Sequence, residues 1–183
     1  GACGGGDDDA RCVIDGGGDA TRASKDADRR PSCGGPNGAR PLFEVRPGGR
    51  LTLENVHISN ACNDVDGAGG AVVVRGGDPQ GTCANEDTTR NHAVLTMVRS
   101  SVTRSVAVGA GPGSHGRGGG VALLNPHSLA RFTDCTFVDN EAWGGDPGSG
   151  AITDYSSSLG NGGGVYVAGG SAVFERCSFN SNA

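Results

Sequence analysis

Short runs of alternating apolar and polar residues recur along this chain between clusters rich in Gly, Asn and Asp. The clearest example is residues 162–182, GGGVYVAGGSAVFERCSFNSN, where three such runs are separated by glycine-rich corners. Residues 118–140, GGGVALLNPHSLARFTDCTFVDN, repeat the same order. No window shows the ~3.6-residue period of an amphipathic helix. The pattern therefore predicts a chain that is nearly all β.

Four units align by their last two strands, and the alignment produces four columns of equivalent positions. In chain order these columns are Leu51, Leu95, Ala130 and Ala172; Leu53, Met97, Phe132 and Phe174; Val56, Ser100, Cys135 and Cys177; and Ile58, Val102, Phe137 and Phe179. Almost all are apolar, and the positions between them are polar or small, which is typical of strands with one buried face. We predict that the second and fourth columns form the structural core.

The columns recur at spacings of 44, 35 and 42 residues, so long insertions separate otherwise similar units. A single unit cannot bury its own apolar face, whereas stacked units bury it against each other. We therefore predict a solenoid of about four coils with long loop insertions. A β-sandwich is the competing architecture; it predicts antiparallel neighbouring strands and does not require conserved columns across long loops.

Paired tetrapeptide motifs carry a family resemblance. They are Gly69-Gly70-Ala71-Val72, the variants Gly119-Gly120-Val121 and Gly163-Gly164-Val165, Phe137-Val138-Asp139-Asn140 and Phe179-Asn180-Ser181-Asn182. Over residues 42–183 the chain resembles the GGA[ILV] and FxxN repeats of polymorphic outer membrane proteins. The units ending Ile58-Ser59-Asn60 and Val102-Thr103-Arg104-Ser105 depart from the pattern. The resemblance implies a right-handed parallel β-helix in a large secreted or surface-anchored protein. In such a fold, stacked Asn140 and Asn182 are expected to form a ladder.

Residues 1–41 are poor in apolar residues and are predicted to form a disulfide-containing segment that reaches the edge of the first coil, whereas residues 42–183 carry the repeats. Calcium at Asp7, Asp8 and Asp9 is an alternative to a solvated loop, but three consecutive side chains rarely converge on one ion. We expect no other cofactor. Because the chain begins without a signal peptide and ends without a cap, we expect it to be a piece of a longer solenoid.

The seven cysteines form no CxxC pair and no zinc-finger spacing, so we expect no metal bound by thiolates. Most lie in polar loops, which favours disulfides and an extracellular location. Cys62 with Cys83 is the preferred pair because both leave neighbouring coil edges, and Cys3 with Cys12 is a second candidate. Cys135 and Cys177 fall in an inward column and are expected to be small buried residues, free or bridged.

The formal net charge of -5 argues against a nucleic-acid surface, which needs a basic stripe. No apolar run approaches the ~20 residues of a membrane span. We therefore expect neither nucleic acid nor a membrane as a partner of this segment.

Parallel β-helices also include pectate lyases and polygalacturonases, so catalysis is the alternative function. A glycosidase needs two carboxylates converging on one face, one of them protonated. The candidates here are expected in loops, at corners or on different coils; they are Asp64, Asp66, Asp134, Asp139 and Glu175. Gly113-Ser114-His115-Gly116 resembles the His-Gly element of polygalacturonases, but the accompanying motifs are missing. The four histidines show no metal-binding spacing.

We therefore predict a non-enzymatic structural or adhesive module of a cell-surface or surface-fibre protein. Its expected partners are other segments or copies of the same assembly, with glycans as a further option. A carbohydrate-active enzyme or glycan-binding module is the alternative. Any recognition is expected in the variable loops 75–92, 106–117 and 141–161.

Overall fold

The structure is a computed structural model that describes residues 12–17, 33, 39–77, 91–111, 113–145 and 159–183. These residues form short strands joined by turns. The first nine are β1 (Cys12–Asp15), β2 (Phe43–Val45), β3 (Arg50–Glu54), β4 (Val56–Ser59), β5 (Cys62–Asn63), β6 (Val72–Arg75), β7 (Ala93–Val98), β8 (Ser101–Thr103) and β9 (Val106–Val108). The others are β10 (Gly116–Arg117), β11 (Val121–Leu124), β12 (Ser128–Thr133), β13 (Thr136–Val138), β14 (Glu141–Trp143), β15 (Gly160–Asn161), β16 (Val165–Ala168), β17 (Ser171–Glu175) and β18 (Ser178–Asn180).

The strands assemble into four main sheets and a two-stranded ribbon, β10–β15. We number the sheets in the order in which the chain first reaches them after residue 42. Sheet I has the order β2-β6-β11-β16, sheet II β3-β7-β12-β17, sheet III β1-β4-β8-β13-β18 and sheet IV β5-β9-β14. The chain runs through sheets I, II and III in the same order four times, and these four runs are called passes 1 to 4.

Every strand pair among the described residues is parallel. The all-β prediction and the parallel arrangement are thus confirmed, and the antiparallel neighbours expected of a hairpin sandwich are not found in this part of the chain. β1, from the predicted N-terminal segment, pairs with β4 and extends sheet III.

The strand register aligns the predicted columns residue for residue. In sheet II, Leu53 pairs with Met97, which also pairs with Phe132, and Phe132 pairs with Phe174. The fourth column follows the same rule in sheet III, ending with Phe137 beside Phe179. Insertions of different length leave this register intact because they depart from the turns between strands.

The main core lies between sheets I, II and III. Six of the eight predicted core residues are buried there: Leu53, Met97, Phe132, Ile58, Val102 and Phe137. The last member of each column differs, since Phe174 is 41% exposed and Phe179 is 49% exposed. Their rings stack on Phe132 and Phe137 at centroid distances of 4.9 Å, but β17 and β18 are the outermost strands of their sheets. Each ring is therefore covered on one face by the preceding pass, and its other face has no strand beyond it in the described part of the chain.

Glycines of the repeated motif form the turn that enters sheet I. Gly69, Gly118 and Gly162 occupy equivalent positions with φ of 59°, 64° and 64°. This left-handed region disfavours residues with a Cβ. A Cβ on Gly118 would lie 2.1 Å from the carbonyl oxygen of Val121. The glycine motif is thus required by the turn in each of these passes.

Candidate functional site

The turn from sheet II to sheet III contains a side chain that donates to backbone carbonyls in three successive passes. Ser100 Oγ donates to Val98 O at 2.8 Å and to Leu53 O at 3.3 Å. Cys135 Sγ makes the equivalent contacts with Thr133 O at 3.3 Å and Met97 O at 3.4 Å. Cys177 Sγ likewise donates to Glu175 O in pass 4 and to Phe132 O in pass 3, both at 3.4 Å. Burial raises the pKa of the Cys135 thiol, so it stays protonated and able to donate.

The predicted asparagine ladder is present at the turn after sheet III. Asn140 is fully buried, and its Nδ2 donates to Val102 O and to Asn182 Oδ1, both at 2.9 Å. Its Oδ1 accepts from the backbone N–H of Ser105 at 3.0 Å. Asn182 in turn donates to Phe137 O at 3.0 Å. The amides thereby connect passes 2, 3 and 4 where regular strand pairing lapses.

Charged residues occupy the outer corners. At the corner between sheets II and III, each pass has one residue with positive φ. An arginine follows a neutral or acidic residue twice in this series, which is Asn55, Arg99, Asp134 and Arg176. Arg176 binds Asp134 through two contacts of 2.6 and 2.8 Å. These hydrogen bonds lower the pKa of Asp134. The backbone N–H of Gly17 and the amide of Asn60 likewise lower the pKa of Asp15. Both carboxyl groups are solvent-exposed, and they lie at different corners of the fold.

Three of the other candidate carboxylates, Asp66, Asp64 and Glu175, accept hydrogen bonds from neighbouring groups. Asp66 and Glu44 both contact Arg75, and Asp66 also accepts from Asn63. Asp64 accepts from the backbone N–H groups of Cys33 and Ala39. Glu175 pairs with Arg131 at 2.8 Å, and Asp139 lies at a positive-φ corner. A glycosidase acid needs a carboxyl whose pKa is raised. The two described carboxyls with a shifted pKa, Asp15 and Asp134, are both lowered.

The disulfide pairing differs from the sequence expectation. Cys62 is bonded to Cys33, so the preferred pair of Cys62 with Cys83 is wrong. Asp64 supports this pairing, because it accepts from the backbone N–H groups of Cys33 and Ala39 next to β5. Cys12 is also disulfide-bonded. Cys3 and Cys83 lie outside the described residues, as do Asp7, Asp8 and Asp9.

The structure describes loop 106–117 except for residue 112, and the ends of loops 75–92 and 141–161. Loops 106–117 and 141–161 leave sheet IV side by side: Gly109 N donates to Trp143 O, and Gly145 N donates to Ser114 O, both at 2.8 Å. His115, in the Ser114-His115-Gly116 stretch, accepts a hydrogen bond on its Nδ1 from the backbone N–H of Leu159 at 3.1 Å. Residues 78–90 of loop 75–92, residue 112, and residues 146–158 lie outside the described ranges.

An exposed aromatic side chain stands where these two loops begin. Trp143 is 37% exposed, and its Nε1 donates to Glu141 Oε2 at 2.9 Å, which fixes the ring. Nearby in the fold, the β10–β15 ribbon contacts β14. On this ribbon, Arg117 places its guanidinium 6.0 Å above the ring of Tyr166. The corner thus combines aromatic surface with charged hydrogen-bonding groups.

Sequence reasoning missed one juxtaposition. His92 and His127 lie 35 residues apart, yet their ring centroids are 5.1 Å apart because the two residues precede equivalent strands. The column alignment contains the signal: each histidine stands three positions before a member of the first column. Spacing along the chain alone does not show it.

No group of three or more His, Cys, Asp or Glu side chains suited to a metal is found among the described residues. The same part of the chain contains no helix of the length and apolarity that a membrane crossing needs. Comparison with protein-family models, curated proteins and solved structures finds no match to this chain.

Proposed function

We propose that this chain is a stretch of right-handed parallel β-helix that serves as a non-enzymatic structural or adhesive module on the outside of a cell. The observation that carries the proposal is the register: four passes align their apolar columns across insertions of unequal length. Ser or Cys donors are aligned in passes 2 to 4, and Asn side chains are aligned in passes 3 and 4. Parallel crossovers in one sheet are right-handed in ~98% of proteins, which supports the handedness. Such a stack provides length and rigidity, the properties that a surface fibre or stalk requires.

Two further features support an extracellular structural role. The Cys33–Cys62 bond and the disulfide-bonded Cys12 fit an oxidising compartment. The exposed rings of Phe174 and Phe179 form an apolar edge on outermost strands whose backbone can pair with another strand. Other segments or copies of the same assembly are therefore the proposed partners.

Two measurements test the structural role against catalysis. Native cells are labelled with an antibody to this chain, without permeabilisation, and viewed by electron microscopy; surface labelling on fibres or a surface layer is expected. Purified chain is then incubated with neutral and acidic polysaccharides while reducing ends and unsaturated products are measured. Turnover that is lost in Asp66→Asn or Glu44→Gln, and retained in the corner variant Asp134→Asn, would overturn the structural proposal.

Glycan binding is the second candidate, and the fixed, exposed ring of Trp143 favours it. Trp143 is the single tryptophan, so its fluorescence reports directly on any ligand at this corner. Titration with oligosaccharides is expected to shift that fluorescence. Immobilised glycan should bind the wild-type chain and lose binding in Trp143→Ala, whereas Val13→Ala, an exposed apolar residue on sheet III, serves as the matched control. No binding by the wild-type chain would remove glycans from the proposal, and equal binding by both variants would remove Trp143 as their site.

A further inference from the structure

Two imidazole rings from consecutive passes meet at the turn between sheets I and II. His92 immediately precedes β7, and His127 immediately precedes β12. The strands are in register, with Ala93 beside Ser128, and Ala93 N donates to His127 O at 3.0 Å. The ring centroids lie 5.1 Å apart with an interplanar angle of 78°. The backbone therefore fixes the distance between the two rings.

One of these rings has an unused nitrogen. His92 Nδ1 is buried and has no hydrogen-bond partner in the described part of the chain. A buried polar atom without a partner is unfavourable and is uncommon in folded proteins. The other two histidines contrast with it: His57 Nδ1 contacts Ser101 Oγ at 2.6 Å, and His115 Nδ1 accepts from Leu159 N.

The ring separation matches that of two imidazoles sharing one metal ion. With a metal–nitrogen distance of ~2.0–2.1 Å, a coordinated imidazole has its ring centre ~3.2 Å from the ion. Two such centres 5.1 Å apart subtend an angle of ~106° at the ion, close to the tetrahedral value preferred by zinc. Imidazole nitrogen suits Zn²⁺, Cu²⁺ and Ni²⁺, whereas Ca²⁺ and Mg²⁺ prefer oxygen.

We propose that His92 and His127 together bind one divalent transition-metal ion of the Zn²⁺ class, which links pass 2 to pass 3. Two imidazoles supply half of a tetrahedral shell, and the other positions are left to water or other donors. An ion that binds only the folded chain raises its stability in proportion to its occupancy. The site is thus a metal-binding link across consecutive passes, separate from the proposed glycan site at Trp143.

Zinc alone is the probe for the test, with the full chain prepared without a histidine tag. Calorimetric titration is expected to give saturable binding that weakens at least tenfold in both His92→Asn and His127→Asn. The matched controls His57→Asn and His115→Asn should bind as the wild type does. Zinc should also raise the thermal midpoint of the wild-type chain and leave that of the two site variants unchanged.

A measurement on the wild-type chain covers the case in which a variant fails to fold. In histidine-selective NMR spectra, zinc should shift the ring signals of His92 and His127 and leave those of His57 and His115 in place. The proposal is overturned if the wild type shows no saturable binding, if the folded site variants bind as tightly as the controls, or if the shifted ring signals belong to the other two histidines.

Discussion

The asparagine ladder gives the sharpest test of how the passes are held together. Asn140 and Asn182 have the same residue type at equivalent positions, but Asn140 is fully buried and Asn182 is partly exposed in the outermost pass. Replacing each by alanine removes the same amide in two different surroundings. The comparison therefore isolates the effect of burial on the bonds that the ladder makes.

The expected magnitude follows from the bonds that are lost. In Asn140→Ala the buried N–H of Ser105 loses its acceptor, and two donations, to Val102 O and Asn182 Oδ1, disappear. A buried group left unsatisfied costs about 1–3 kcal/mol, and each ordinary bond contributes about 0.5–1.5 kcal/mol. The free energy of unfolding should fall by about 2–6 kcal/mol. Asn182→Ala should cost less than about 2 kcal/mol because water can reach the groups it leaves.

Equilibrium unfolding in urea, followed by circular dichroism and by the fluorescence of Trp143, measures both variants. Asn140→Asp is a further control, because the aspartate side chain has the same size as asparagine. When ionised it cannot donate, so the two hydrogen bonds donated by Asn140 are lost. At neutral pH it should destabilise at least as much as Asn140→Ala, and acidification that protonates the new carboxyl should recover part of the loss. Equal destabilisation by Asn140→Ala and Asn182→Ala, or effects below about 0.5 kcal/mol in both, would refute the assignment of a buried ladder.

Three smaller predictions concern single corner positions. Cys135→Ser should change the free energy of unfolding by less than about 1 kcal/mol, because the serine one pass earlier makes the same bonds, whereas Cys135→Ala should cost more; chemical denaturation compares them. Arg104→Gly, at φ 49°, should stabilise by about 0.5 kcal/mol, while the strand variant Thr103→Gly should destabilise by about 1 kcal/mol; a reversed order would refute strain at the corner. Because Arg176 lowers the pKa of Asp134 in the folded state, its stabilisation is present at neutral pH and is lost as the pH falls below 3.8. The thermal midpoints of the wild type and Asp134→Asn should therefore differ slightly at pH 7 and converge as the pH falls through the lowered pKa of Asp134 in the folded state. A difference that grows in acid would contradict this sign.

Much of the fold was predictable because strand patterning and stacking are repetitive. Inward residues recur at every second position, and each pass must place like residues over like, so Leu53, Met97 and Phe132 could be aligned from the sequence alone. The role of Asn140 was also predictable, since an asparagine ends each of the last two units and lies where it can bond corner backbone. The serine and thiol column was aligned correctly, but its shared donor role became visible only with the carbonyl positions.

The candidate sites were harder to predict because they depend on contacts between passes. His92 and His127 occupy equivalent positions, yet their closeness follows only if the register holds through the insertion before β7 and the turn before β12. The Cys33–Cys62 bond is accompanied by a hydrogen bond from the backbone N–H of Cys33 to Asp64, which adjoins sheet IV. Cysteine positions in loops do not encode such a contact.

The sequence by itself determined which side chains face inward and in what order the passes stack, because the alternation of strands and the glycine requirement of the turns are local. Only the tertiary structure decided which of those inward residues are covered. Phe132 and Phe174 belong to one column, and both are predicted to face inward. Phe132 lies between two passes, whereas Phe174 has a pass on only one side in the described part of the chain. Burial is a property of neighbours on both faces, and a local pattern cannot specify whether both are there.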